Sequence, residues 1–326
     1  MASANSSATG SERPTGGKET IREARPPAGK SLREGLIALV SYPRMVVAQR
    51  EILSNFYQRE LRARFRGTVL GFVWPFVLPL VLFLVYYFVF AELLGAKFGR
   101  AGLADAAQKQ LFTVYLFVGV VVWSGFAESV TRNASVILEN SNLIKKISFP
   151  SEILPLNTVL ASVTIQALAL IAYLIVAPQL GWNPWGWRML ALPVLFAVQV
   201  AFSLGLSLGF SAMNVFVRDT QPLLGIAMTF WQFLTPVFWA RDQVPGIEKY
   251  SYVLTWNPMH HLLEGYRKVL VNPGTPQYRD LDAKAGFPDF EWPWAECANV
   301  AAASVVVFVL GYSLFLASKR KFADEL

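Results

Sequence analysis

Six stretches of largely apolar sequence, at about 70–94, 111–131, 153–177, 189–216, 223–240 and 300–317, decide what this chain can become. A helix needs about 20 apolar residues to cross the ~30 Å hydrocarbon core of a bilayer. Each block approaches or exceeds that length, and the fifth carries Pro236 and is predicted to break or kink there. Composition agrees: 54% of residues are hydrophobic and only 16% charged, whereas soluble chains run at about 25% charged. The blocks predict an all-α membrane protein with six transmembrane helices. A lone cysteine, Cys297, excludes an internal disulfide framework and a multi-cysteine metal site.

Charge fixes the expected orientation. Arg44, Arg50, Arg59, Arg62, Arg64 and Arg66 precede the first block, while Arg132, Lys145 and Lys146 join the second to the third. Arg218 lies between the fourth and fifth, and Lys319, Arg320 and Lys321 follow the sixth. With an even number of spans these fall on one side, which the positive-inside rule makes the cytoplasm, and both termini go there too. The net charge of +7 is therefore read as topology rather than as a nucleic-acid surface. The opposite loops mix Lys97, Arg100, Arg188 and Arg241 with Asp105, Asp242, Glu248, Asp280, Asp282, Asp289 and Glu291.

Three stretches lie outside the blocks. Residues 1–40 are polar, rich in Gly, Pro and charge, and are expected to form a disordered cytoplasmic tail with no early apolar core for a signal peptide. Residues 41–68 contain Ile52, Leu53, Phe56, Tyr57, Leu61 and Phe65 at roughly helical spacing among charges. That pattern predicts an amphipathic helix lying in the membrane interface. Residues 241–296 are too polar to span and too long for a turn. Their Trp256, Tyr266, Trp292 and Trp294 suit short helices at the opposite interface, where aromatic rings are favoured.

Candidate chemistry is sparse. The run ARPPAGKS at 24–31 fits a loose phosphate-loop pattern, but Pro26 and Pro27 remove two backbone donors and no strand precedes it. It is read as a chance match, so any ATP must bind on another chain. Adjacent His260 and His261 point about 100° apart on a helix and do not chelate one metal. Glu128 sits near the end of the second block, where an ionisable group is costly. It has either a proton or gating role or that of a helix-end carboxylate near water. Trp74, Tyr86, Tyr115, Trp123, Phe126, Trp231, Phe233 and Trp239 recur inside the blocks, either as packing or as the lining of a channel on which sugar rings could stack.

Five segments in order carry a resemblance: LRARFRGTVLGFVWPFVLP at 61–79, NSNLIKKISFPSEILPL at 140–156, NVFVRDTQPLL at 214–224, TPVFW at 235–239 and NPMHHLLEGYRKVL at 257–270. Together, over about residue 57 to the C-terminus, they resemble the permease subunit of a type-2 ABC exporter of the polysaccharide group. The resemblance implies a homodimer around a channel, each copy with a separate ATPase that binds ATP and Mg, and a lipid-linked polysaccharide as cargo. O antigen is favoured over capsule because IKKISFPSEILP looks like the O-antigen and teichoic-acid branch. By position it implies a gate helix with Arg62, Arg64, Arg66, Gly67 and Gly71 at the substrate entrance. It also implies a coupling loop over 139–150 with Asn140, Asn142, Lys145, Lys146 and Phe149 against the ATPase, and short re-entrant outer helices. A basic helix of this kind attracts anionic headgroups at about 1 kcal/mol per residue, and Arg62 and Arg66 fall within about 40° of each other with Arg64 on the other side. A small-molecule exporter is the rival reading. A membrane glycosyl or acyl transferase lacks its paired carboxylates or histidine site here, and a secondary transporter would show inverted repeats.

Overall fold

A computed structural model describes residues 28–65, 71–96, 105–146, 150–180, 184–241, 244–271 and 292–326. Among the described residues there is no strand, and helices of very unequal length make up the fold. In chain order they are α1 (Ala28–Ala48), α2 (Arg50–Phe65), α3 (Trp74–Tyr86), α4 (Asp105–Glu139), α5 (Ser141–Lys146), α6 (Ile153–Val176), α7 (Leu192–Phe216), α8 (Thr220–Leu234), α9 (Ser251–Thr255), α10 (Pro258–Leu270), α11 (Trp294–Lys319) and α12 (Phe322–Glu325). Helix α1 begins at Ala28, within the stretch 1–40 expected to be disordered, and residues 1–27 lie outside the described residues. The segment from Ser31 to Val40 is rich in the helix formers Leu, Arg, Glu and Ala, and the first proline after it is Pro43.

Four helical stretches among the described residues are long and apolar enough to cross a membrane: Gln108–Glu139, Ile153–Gln179, Trp187–Phe216 and Trp294–Lys319. They correspond to the second, third, fourth and sixth blocks. The first and fifth are built differently. Helix α3 passes at Tyr87 into a π-helical stretch, Tyr87–Leu93, so that its apolar run is not one regular helix. Helix α8 has 15 residues, about 22 Å of rise. It stops at Leu234 because Thr235 precedes Pro236 and takes an extended conformation (φ −95°, ψ 135°).

Of the long helices, α4, α7 and α11 run one way and α6 the other, and all four share two ends. Glu139, Ile153, Phe216 and Lys319 mark one, and Asp105, Val176, Leu192 and Trp294 the other. Helices α4, α6, α7 and α11 form the centre, with α7 against α11 the most extensive pairing. At that crossing Gly205 and Gly311 meet backbone to backbone: a Cβ on Gly205 would lie 2.6 Å from the Phe308 nitrogen, and one on Gly311 would run into the Gly205 carbonyl. Small residues let membrane helices approach this closely, which maximises dispersion where lipid removes the hydrophobic drive. The outer faces stay apolar: Ile171, Ile175, Val305, Val306, Leu310 and Leu314 are all exposed in the isolated chain, as a lipid-facing surface requires.

A seam of buried polar side chains runs between α4, α6 and α7. Gln166 and Gln199 exchange reciprocal amide hydrogen bonds (3.0 and 2.6 Å), and the Tyr266 hydroxyl donates to Gln199 Oε1 at 2.8 Å. Asn133 Nδ2 donates to the Ser129 and Pro155 carbonyls and to Ser207 Oγ. Neither end of these bonds reaches water, so each group depends on the others. A Gly205→Leu substitution is expected to lower thermal stability in detergent by about 1–3 kcal/mol through overpacking. Gly225→Ala, with open space at its Cβ, should leave the melting temperature in place in the same thermal-shift measurement.

Candidate functional site

Two regions carry the chemistry, one near each end of the bundle. At the Lys319 end α2 leans against α4 and α6. The Arg64 side chain is only 4% exposed and reaches three partners. Its Nη1 bonds Glu128 Oε1 at 2.8 Å, its Nη2 bonds Ser162 Oγ at 3.0 Å, and its Nε approaches Glu60 Oε1 at 3.3 Å. Arg132 joins the same Glu60 oxygen at 3.2 Å, and the Tyr57 hydroxyl meets Thr164 Oγ1 at 2.7 Å. Glu128 therefore has a partner 64 residues away in sequence. It also borders a cleft of about 460 Å³ between α4 and α8, shared with Thr131, Arg132, Gln221 and Pro222.

Arg62 points elsewhere. It is exposed, bonds Gln58 Oε1 at 3.3 Å, and lines a shallow surface cleft with Asn55, Gln58, Arg59 and Ala63. Arg66 and Gly67 lie outside the described residues. Gly71 has φ +49°, a left-handed conformation that favours glycine, and opens the 3-10 turn that leads into α3.

Within 139–150, the Asn140 carbonyl accepts from the Leu143 and Ile144 amides and so starts α5. The Asn140 side chain donates to the Val136 carbonyl and accepts from Arg59 Nη2 at 3.4 Å. Helix α5 turns Ile144 toward the core and leaves Asn142 and Lys145 exposed, while packing beside α12. Lys146 closes α5, and Phe149 lies outside the described residues. Just beyond, Lys319 Nζ bonds both carboxylate oxygens of Glu152 (2.7 and 2.9 Å), and the buried Tyr42 hydroxyl donates to the Glu152 carbonyl at 3.0 Å. Burial and the Glu152 charge push the Tyr42 phenol well above its ordinary range.

At the opposite end the turn after α8 is held from three sides. Asn257 caps α10: its Oδ1 accepts from the Met259 amide and from Trp231 Nε1, and its Nδ2 donates to Thr235 Oγ1 at 2.8 Å. Pro258 at the first helical position suits that start. Arg267, buried on the inner face of α10, donates from Nη2 to the Val237 carbonyl at 2.9 Å. Its guanidinium lies 3.4 Å from the Tyr115 ring centroid and pairs with Glu264. Gly119 makes room, since a Cβ there would strike the Val237 carbonyl. Burial holds the neighbouring His260 imidazole below its ordinary pKa.

Seven of the eight aromatic candidates converge on this turn. Trp123, Phe126 and Trp231 pack edge to face, with Phe202 stacked on Phe126. Tyr86 and Phe233 contact Phe238, and Tyr115 donates to the Trp239 carbonyl at 3.3 Å. Trp123 and Phe126 are core residues, so their faces are occupied by packing in this conformation; Phe233 is exposed. Trp74 lies at the other end of α3 and is half-exposed. Sequence reasoning missed Arg267 and the Gln166–Gln199 pair. The available signal for Arg267 was its place on the apolar stripe of α10 with Met259, Leu263 and Tyr266.

Residues 53–271 match the family model described as "ABC-2 type transporter". The chain belongs to that family. Membership places it in a membrane as a multi-pass transport subunit and brings an ABC ATPase as its partner. Among curated proteins the chain is 29% identical over 288 residues to an O-antigen export system permease protein from Myxococcus xanthus, covering 88% of this chain and 100% of the relative. A permease of the same name from Klebsiella pneumoniae is 27% identical over 282 residues, 85% of this chain and 95% of its own length.

The matched region includes both ends of the Arg64 network, so its energetics are open to direct test. A double-mutant cycle of Arg64→Gln and Glu128→Gln should give a coupling of about 1–3 kcal/mol. The 41% exposure of Glu128 draws it toward the lower figure. Arg62→Gln paired with Glu128→Gln should be additive in the same thermal-unfolding measurement.

Proposed function

We propose that this chain is the channel-forming subunit of an ATP-driven exporter that carries a lipid-linked cell-surface glycan, O antigen or a close equivalent, outward across the inner membrane. The observation that carries this reading is the near full-length match to permeases named for O-antigen export. Six spans are reached by counting α3 with its π-helical extension, and α8 with the turn after it, beside the four long helices. The Lys319 end, with Arg44, Arg50, Arg59, Arg62, Arg64 and Arg132, is the cytoplasmic one. Within the region 241–296, α9 and α10 cap the opposite side as short re-entrant helices.

Two copies enclose the path, because the aromatic faces of one chain are largely consumed by its own packing. Helix α2 serves as the gate. Arg64 is committed to Glu128 and Ser162, which anchors the helix. Arg62, exposed, and Arg66 are left to meet the anionic pyrophosphate of the cargo at the leaflet surface. The 139–150 segment, with Asn140, Asn142, Lys145, Lys146 and Phe149, docks into the ATPase. ATP-driven closure of the two ATPases then pushes on α5, moves α4 and α6, and opens the channel. No bond of the cargo is broken by this chain.

A strain lacking this chain should lose surface glycan and accumulate the lipid-linked form inside, with both defects reversed by the wild-type chain. The triple change Lys145→Ala, Lys146→Ala, Phe149→Ala should insert and dimerise yet fail to restore export. Restored resistance to a small toxic compound, with surface glycan unchanged throughout, would sink the glycan assignment.

The gate reading gives a second expectation. Arg62→Gln combined with Arg66→Gln should cut export by about tenfold or more at an unchanged melting temperature. Arg64→Gln should lower the melting temperature. Equal export defects with equal loss of insertion would assign all three arginines to lipid anchoring.

A further inference from the structure

The π-helical stretch Tyr87–Leu93 stacks Phe90 on Phe238 of the turn after α8, while its Tyr87 and Glu92 meet partners outside the sites described above. In an α-helix, residues five apart point about 140° away from each other, whereas a π turn aligns them. Here it brings the Tyr87 hydroxyl to 2.8 Å from Glu92 Oε1, and Lys109 of α4 meets the same carboxylate oxygen at 2.6 Å. The result is a compact rim of hydroxyl, carboxylate and ammonium, all partly exposed.

Below this rim a groove of about 660 Å³ opens between α3, α4 and α6, a volume inside the ~300–1,000 Å³ range of small-molecule sites. Its walls are carbon. Phe83, Phe117, Ala169, Ala172 and Val176 line it, and the small side chains of α6 leave the space that larger ones would fill. Two polar residues in the wall, Tyr173 and Thr113, turn their hydroxyls to backbone carbonyls. The Tyr173 hydroxyl donates to the Leu270 carbonyl at 2.8 Å, and Thr113 Oγ1 donates to the Lys109 carbonyl at 2.8 Å. From Lys109 to Phe117 the groove follows about eight residues of α4, some 12 Å of rise. That depth is close to half of a ~30 Å hydrocarbon core, one leaflet.

We infer that this groove is a lipid site of the Asp105-end leaflet, holding one acyl chain of a zwitterionic phospholipid of the phosphatidylethanolamine type. Lys109 receives the phosphate and Glu92 with Tyr87 the ammonium. The charge pattern selects the headgroup: a rim with one cation and one anion matches a lipid with both charges better than an anionic one, whose phosphate would lie beside Glu92 without a counter-charge for that carboxylate. The groove opens on the side of a membrane-spanning bundle, where acyl chains are the surrounding solvent. The inference rests on the membrane-spanning fold and is independent of what the exporter carries.

The test uses the full transporter with its ATPase, reconstituted in an equimolar phosphatidylethanolamine and phosphatidylglycerol bilayer, extracted in mild detergent and read by native mass spectrometry. Wild type should retain phosphatidylethanolamine over phosphatidylglycerol by about threefold or more. Ala172→Phe and Val114→Phe, which fill the groove from opposite walls, should each lose most of that lipid with the assembly intact. Glu92→Gln with Lys109→Gln should keep a lipid but lose the preference. Equal retention of the two lipids by wild type overturns the headgroup assignment without needing any variant to fold. Undiminished lipid in both filling variants overturns the site. Dissociation of the assembly by those variants at an unchanged lipid count would mean that a second copy of the chain fills the groove, and overturns it too.

Discussion

A polar group set among lipid tails must find its partner inside the protein, and that requirement organises this bundle. Gln166, Gln199 and Tyr266 satisfy one another across α6, α7 and α10, and Asn133 ties α4 to the start of α6 and to Ser207 of α7. Individually such bonds contribute modestly, about 0.6 kcal/mol on average in membrane bundles. Their weight is in specificity. An apolar helix rotated or slid by one turn still meets apolar neighbours, whereas an amide so displaced is left without a partner in hydrocarbon. The seam thus selects one register among packings that dispersion alone would leave nearly equal. The glycine crossing of α7 and α11 then sets how close those helices come.

The same rule governs the charges. Arg64 and Arg267 are both nearly buried, and each joins an acceptor on its own helix to acceptors elsewhere: Glu60 with Glu128 and Ser162 for the first, Glu264 with the Val237 carbonyl for the second. Removing one member of such a group costs more than the group contributes as a whole, because a buried charge is left behind. The two arginines hold helix α2 at one end and the irregular turn after α8 at the other. Irregular backbone near a membrane needs such anchors, since it cannot satisfy itself as a helix does.

How much of this could be read from the chain follows from the range of each interaction. The blocks at 111–131, 153–177, 189–216 and 300–317 each lie on a long apolar helix, because local hydrophobicity decides spanning. Pro236 announced the end of α8, since a proline constrains the residue before it whatever the surroundings. The π turn carried no such signal, for YFVFAEL is as compatible with a regular helix, and only the tertiary pairing of Glu92 with Lys109 gives it a purpose. Glu128 was visible as an oddity and its partner was not, because Arg64 lies on another helix and the sequence carries no mark of that pairing. Helix α10 shows the middle case. An Asn-Pro pair such as 257–258 suits a helix start, yet the other two hydrogen bonds of Asn257 reach back to Trp231 and Thr235, beyond any local pattern.

Glu152 follows directly on the α5 segment, and its neighbours give it a mechanical meaning. Its carboxylate is gripped by Lys319 at the end of α11, and its carbonyl by Tyr42 of α1, whose ring is wedged edge-on against Phe308 and Tyr312. Three elements distant in sequence are thereby riveted at one point, immediately beside the segment that would receive a push. Under the proposed coupling, a force that reached Glu152 would load α1, α6 and α11 together, and the bundle would answer as a single lever whose short arm ends at this rivet.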